Sequence, residues 1–431
     1  MNGVASPAEL ARAGNSPSSS PYGSKADIFL VWLLVLSTFF PYIGIHLGQS
    51  TSLSLTSIIS LLMVPRLLSS VPTALYALVL IFGPWVATFL SVAAGLAQPS
   101  LTALAAWSLM VAAGFGFLHA GRSFPHLLHA PLRVGVLFSS LYALVQKVVF
   151  LDAGTIPFIQ YYNSPDYADV QVRAEIITQY IKRPFAFFPE PSFMAGSLAI
   201  AAVAMIVASR LRRGTATLSV LDWLTLSAVS AAILISASGS ALITLGIVWF
   251  VAIWPLFRAA GRLVFVTAVS IGLYAVSTTI LATRNTSHNW SWDDRSASIL
   301  GAFRFLFSDT LTMLFGVGKG NSTVLFSKGS IPMSGLDYYT YLPDVYSAAG
   351  RMVFENGLLI GGLMVAMLAA SIYFGVRRYV GTLEAIGSIV LWFVVAGLTI
   401  SYESAAWLWA FPALAFGLIQ HGKHADDKEN C

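Results

Sequence analysis

Two stretches of the sequence concentrate the residue types that proton transfer and phosphate recognition require. The first reads Lys182-Arg183-Pro184-Phe185-Ala186-Phe187-Phe188-Pro189-Glu190-Pro191-Ser192. Prolines on both sides of Glu190 keep that position out of a helix, and Ser192 is a good N-cap for the apolar run that follows. A carboxylate is thereby expected at the mouth of a helix, near the positive end of its dipole. The plain structural alternative is a helix start in which Glu190 only complements that dipole. The second stretch runs from Asp344 through Tyr346, Ser347, Arg351 and Glu355 to Gly361-Gly362. Arg351 and Glu355 are four apart and share a helix face, which by itself is an ordinary surface ion pair. A carboxylate is a residue type able to move protons, and each stretch offers one, Glu190 in the first and Glu355 in the second. Arginine suits bidentate phosphate contacts. Lys182, Arg183, Arg295, Arg304 and Arg351 together carry enough positive charge to neutralise a diphosphate without a metal. Gly316-Val317-Gly318-Lys319-Gly320 lacks the Lys-Ser/Thr ending of a phosphate loop and reads as a turn.

The elements that must hold these residues are apolar. The chain has 431 residues, 57% hydrophobic and 10% charged, with formal net charge +5. Ordinary soluble domains carry about 25% charged residues, so soluble enzyme classes are excluded as a first reading. An all-α polytopic membrane protein is expected. Cys431 is the one cysteine, and the seven histidines show no ligand spacing, so neither an intrachain disulfide nor a metal site is expected. Residues 1–26 are rich in Ser, Pro and Gly and read as a disordered leader. Residues 27–420 form one membrane domain, and 421–431 a tail.

Roughly 20 apolar residues cross a bilayer. On that criterion about twelve spans are placed, at 27–47, 52–68, 72–96, 100–119, 128–151, 192–209, 220–236, 240–257, 263–282, 353–375, 384–402 and 405–420. Lys and Arg bias fixes orientation. With both termini inside, the inner connectors hold Arg66, Arg122, Arg133, Arg210, Arg212, Arg213, Arg258, Arg262, Arg377 and Arg378, and the short outer turns hold no basic residue. Two long outer loops remain, about 152–191 and 283–352, and they carry most of the acids. Val172, Ile176 and Tyr180 share one helical face, which predicts a short interfacial amphipathic helix in the first loop. Tyr161, Tyr162, Trp290, Trp292, Tyr338, Tyr339 and Tyr341 suit sugar stacking or an interfacial aromatic belt.

Arg183 to Ser192 resembles the R-x-x-G-x-F-x-E-P-S entry to a span in Wzy-type polysaccharide polymerases of the O-antigen polymerase and ligase superfamily. Ser236-Ala237-Ser238-Gly239-Ser240 is similar to that superfamily's Ser-rich break. Arg295 to Gly318 is similar to its Arg…Gly-Val-Gly stretch, and Glu355 to Gly361 to its Glu-x-Gly-Leu-Leu-x-Gly. The matches fall in family order over roughly 180–365. Where ligases of the superfamily carry His-Asn, Tyr346 and Ser347 stand here, which favours a polymerase. Arg351 to Gly362 keeps the Arg-x10-Gly spacing of some polymerases; Arg183 and Arg304 do not.

The resemblance implies an inverting, metal-independent glycosyltransferase of the bacterial inner membrane with no cofactor. Its substrate would be an undecaprenyl-diphosphate-linked oligosaccharide presented at the periplasmic face. Membrane lipids, a flippase and a chain-length-regulating copolymerase are the expected partners, and nucleic acid is not. Cations, chiefly Lys182, Arg183, Arg295 and Arg351, should stand at the departing diphosphate and a carboxylate at the acceptor hydroxyl, with Glu190 the first candidate base, Glu355 the second, and Asp293, Asp294 and Asp344 as open alternatives. The rivals are a ligase-like glycosyltransferase, a lipid or oligosaccharide transporter, and a non-catalytic assembly subunit. Carriers bind at mid-membrane, whereas Asp222, Glu384, Glu403 and Lys147 all fall near span ends.

Overall fold

The computed structural model describes residues 25–41, 44–46, 52–63, 71–98, 100–151, 183–188, 190–236, 239–257, 290–331, 345–399 and 406–429, with isolated positions between 261 and 278. Apart from one short ribbon, the regular structure described is helical. The chain opens with α1 (Lys25–Ser37), followed by the strands β1 (Gly44–His46) and β2 (Ser52–Ser54), which pair antiparallel with Ile45 opposite Leu53. Next come α2 (Leu55–Met63) and α3, which runs from Val71–Ala77 through a π turn at Leu78–Phe82 into Gly83–Ala93. Then follow α4 (Leu101–Ser123), α5 (His129–Val145, ending in a π turn at Gln146–Leu151), α6 (Pro191–Arg213), α7 (Val220–Ile235) and α8 (Gly239–Ile253). Three helices come next, the last two short: α9 (Trp290–Leu306), α10 (Thr310–Phe315) and α11 (Asn321–Ser327). The last are α12 (Ala348–Asn356, a π turn at Gly357–Gly361, then Gly362–Tyr379), α13 (Thr382–Val394 with a π turn at Val395–Thr399) and α14 (Ala406–Glu429).

Five helices among the described residues are long and apolar enough to cross a bilayer: Thr73–Ala93, Leu101–Ser123, Pro125–Leu151, Pro191–Arg213 and Ala348–Tyr379. The fold is therefore that of an α-helical membrane protein. Two expected spans differ from what forms. The first was expected to reach 47, but α1 stops at Ser37. There the hydroxyls of Ser37 and Thr38 donate back to the carbonyls of Leu34 and Val35, and Pro41 disfavours helix at Phe40. The second begins as strand and turns helical at Leu55; the described part of α2 ends at Met63, and the last residues of the expected span lie outside the described residues. The span expected at 263–282 and the interfacial helix around Val172 lie largely or wholly outside the described residues.

Helix α6 is the axis of the bundle. Its sequence is apolar on every side and rich in Ala, with Gly196 and Ser197 in its second turn, which suits a helix with no exposed face. Nearly every residue from Pro191 to Arg210 is buried, and α5, α7, α8, α12, α13 and α14 all pack on it. In lipid, helices associate through close packing of small residues and not through escape from water. The α4–α14 pair shows the same rule. A side chain on Gly121 would stand 2.6 Å from the Leu414 carbonyl oxygen, and one on Gly417 would strike the Leu118 carbonyl. Outward faces carry Phe82 and Phe89 on α3, Phe138 and Leu141 on α5, and Leu363 and Phe374 on α12, all exposed. An apolar exterior of this extent matches a lipid solvent.

The direction of α6 defines the two ends of the bundle. At its C-terminal end buried Asp222 accepts from Ser209 Oγ and the Ser219 amide and pairs with His129 Nε2 at 2.8 Å. Arg122, Arg212, Arg213, Arg377 and Arg378 belong to the last turns of α4, α6 and α12 at that end. The candidate residues stand at the other.

Candidate functional site

Glu190 sits where the prolines require. Pro191 occupies the first turn of α6, the one helical site where its missing N–H costs nothing, and it forces the preceding residue to be extended. Glu190 accordingly has φ −145°, ψ 155° and is itself the N-cap. This corrects the sequence expectation that Ser192 would cap. Ser192 lies inside the helix, and its hydroxyl points back to Glu190 Oε2 at 3.4 Å. Arg295 Nη2 of α9 lies 3.8 Å from the same oxygen, with both side chains about one fifth exposed. At that distance the two form an ion pair beyond direct hydrogen-bond range.

The loop entering Glu190 is tied down from below. Gln146, wholly buried on α5, accepts from the amides of Phe185 (2.9 Å) and Ala186 (2.8 Å) through its side-chain oxygen. Ala186 has φ 48°, the one non-glycine residue with positive φ among the described residues. A left-handed backbone of this kind is what glycine most readily adopts. Phe187 then stacks on Tyr142, ring centroids 4.2 Å apart.

The second stretch forms the head of α12. Ser347 is its N-cap, accepting from the Gly350 amide at 2.9 Å, and the Tyr346 amide donates to Ser298 Oγ of α9 at 3.1 Å. The π turn at 395–399 joins the two mouths. Widening a helix there turns carbonyls away from their usual partners. The Leu398 carbonyl accepts from Arg295 Nη1 at 2.6 Å and the Ala396 carbonyl lies 3.4 Å from Ser347 Oγ. Arg295 beside Glu190, and the start of α12, therefore rest on carbonyls two residues apart.

Glu355 is fully buried, and both its oxygens are occupied. Oε2 accepts from Lys319 Nζ at 2.6 Å; Oε1 accepts from Ser322 Oγ at 2.7 Å, the Gly320 amide at 3.2 Å and Arg351 Nε at 3.3 Å. Lys319 is 5% exposed, and its ammonium also stands 4.3 Å from the centre of the Trp107 ring. The glycine run is indeed a turn, with φ 77°, 79° and 83° at Gly316, Gly318 and Gly320. Its amides at Val317 and Gly318 donate to the carbonyls of Phe354 and Glu355, which the π turn at 357–361 leaves available. A side chain on Gly316 would lie 2.5 Å from the Glu355 carbonyl oxygen, so the approach requires glycine.

The structure thus brings Glu190 together with Arg295, and Glu355 with Arg351. Arg183 is half-buried at the start of the tied-down loop. Arg304 is exposed, about 13 Å along α9 from Arg295 and on its opposite face, so it is not gathered with the others. Lys182, Asp344 and the loop tyrosines lie outside the described residues. Sequence reasoning passed over Lys319, Ser322 and Gln146. A lysine flanked by glycines and an amide inside an apolar span are the signals that mark them. Among the described residues, no three His, Cys, Asp or Glu side chains form a metal-type group. No protein-family model matches the chain, and a search of characterised proteins finds none significantly similar to it.

Proposed function

We propose that the protein is a polysaccharide polymerase: an inverting, metal-independent glycosyltransferase that joins undecaprenyl-diphosphate-linked oligosaccharide units into exopolysaccharide or O-antigen. The observation that carries this reading is the mouth of α6. There a carboxylate on an extended residue between two prolines, partly exposed, faces Arg295 at 3.8 Å. A carboxylate that is partly open to solvent can be reached by a substrate hydroxyl and take its proton. Glu190 is the base in this reading, taking the proton of the acceptor hydroxyl as that oxygen attacks the anomeric carbon of the donor chain. The lipid diphosphate departs, and Arg295, Arg351, Arg183 and Lys182 stabilise its growing charge. Glu355 is a poor base by the same criterion, since it is fully buried and four donors already occupy its oxygens.

The left-handed Ala186 supports the resemblance, since it gives a physical reason for the glycine of the family motif at that position. The chain crosses the bacterial inner membrane about twelve times in this reading. The arginine-rich end of the bundle is cytoplasmic and the Glu190 end periplasmic, as the bias of positive charge requires. The test is polymerisation by purified protein from a lipid-linked oligosaccharide, with and without chelator. Polymer in both arms supports the reading. Product only without chelator refutes metal independence, and none in either arm refutes the assignment.

A further inference from the structure

We propose that Lys319 and Glu355 are positioning residues that fix the guanidinium of Arg351 for the diphosphate of the lipid-linked donor. The inference rests on the function proposed above and adds to it a part for the glycine turn. Glu355 lies on the same helix as Arg351, four residues on, and an isolated exposed pair of this kind is weak. Such a pair would not hold a long side chain in one place. Here the carboxylate is locked from a different part of the chain: Lys319, the Gly320 amide and Ser322 all donate to it at 2.6–3.2 Å.

The lock is itself anchored. The Lys319 amide donates to Thr88 Oγ1 at 2.9 Å, its ammonium rests on Trp107, and Asn321 exchanges hydrogen bonds with the backbone of Gln98. Ser91 Oγ meets the carbonyls of Phe315 and Gly316 at 3.1 and 3.0 Å. Elements α3 and α4 thus hold the turn, the turn holds Glu355, and Glu355 holds Arg351 by Nε. Two cations share one buried carboxylate, an arrangement that favours an anion nearby. Arg351 is the more exposed of the two, 15% against 6% for the lysine side chain. The geometry gives Lys319 the buried, supporting place and Arg351 the outward one.

The test uses full-length protein in nanodiscs, measuring binding of undecaprenyl diphosphate alone and, separately, polymerisation kinetics. Lys319→Met should raise the Kd and the donor KM about ten- to hundredfold, as a misplaced binding group does, with much less change in kcat. Lys319→Arg, which keeps the charge and the donors, should recover most of that loss. Ser322→Ala removes one 2.7 Å bond and is the milder variant, with a shift in the same direction of about threefold. Unchanged Kd in well-folded Lys319→Met and Ser322→Ala proteins would overturn the inference. So would a Glu355→Gln protein that binds normally but loses kcat with an altered pH profile, because Glu355 would then be a base. A wild-type protein that binds the lipid but makes no polymer refutes the proposed reaction and leaves the positioning claim to the binding arm.

Discussion

Replacing Ala186 by glycine and by valine probes the loop that presents Glu190, and competing effects can be weighed from the structure. A left-handed conformation costs a residue with a Cβ about 1–2 kcal/mol, which Ala186→Gly relieves. Against that stand about 0.5–1 kcal/mol of extra backbone entropy in the unfolded chain and about 0.8 kcal/mol for a lost buried methyl. The terms nearly cancel, so Ala186→Gly should change stability by less than about 1 kcal/mol. The same substitution at Ala199, buried in the interior of α6, has no strain to relieve. It should cost about 1 kcal/mol for the helix and roughly as much again for packing. Ala186→Val places a β-branched residue in the left-handed region and overfills a buried site, for a loss of about 3 kcal/mol or more. Thermal unfolding of the three variants in one detergent gives the order directly. The reasoning fails if valine at 186 is tolerated, or if glycine costs as much at 186 as at 199.

Three further outcomes are expected. Gln146→Leu should destabilise by about 2–4 kcal/mol, since two buried amides lose their acceptor; Gln146→Glu, which keeps an acceptor, should cost less in the same unfolding assay. Gly417→Ala should force α4 and α14 apart at the Leu118 carbonyl, lowering the unfolding temperature far more than Gly362→Ala, where a side chain meets open space. Asp309 caps α10 by accepting from the Thr312 amide at 2.9 Å, and that hydrogen bond holds its carboxyl below the usual carboxylate range. A depressed folded value means the cap is complete above the ordinary carboxylate range and lost as pH falls through the depressed one. Protection of the α10 amides, corrected for intrinsic exchange, should therefore fall on acidification, and Asp309→Asn should remove that fall.

The fold was legible wherever local composition decides it. Long apolar runs mark α3 to α6 and α12, and Pro189 and Pro191 locate Glu190 at a helix mouth because proline geometry is a local property. The cap itself was misplaced by two residues, since Ser192 has the better side chain but Pro191 fixes where the helix begins. Contacts across long separations left no such trace. Lys319 meets Glu355 across 36 positions and His129 meets Asp222 across 93, and neither pairing has a period that a sequence can display. The π turns at 357–361 and 395–399 lie in ordinary apolar sequence, yet they free the carbonyls that hold the glycine turn and Arg295. An i,i+4 pair at Arg351 and Glu355 was readable, but its burial came from elements far away in the chain.

The most direct measurement of the central claim is the polymer made by purified Glu190→Gln protein from a lipid-linked oligosaccharide, beside wild type of equal thermal stability. The amide preserves the size of the side chain and removes its negative charge, and with it both the capacity to take a proton and the ion pair with Arg295. The account predicts that polymer is lost while undecaprenyl diphosphate still binds with wild-type affinity. Polymer of normal amount and length from that variant would contradict it.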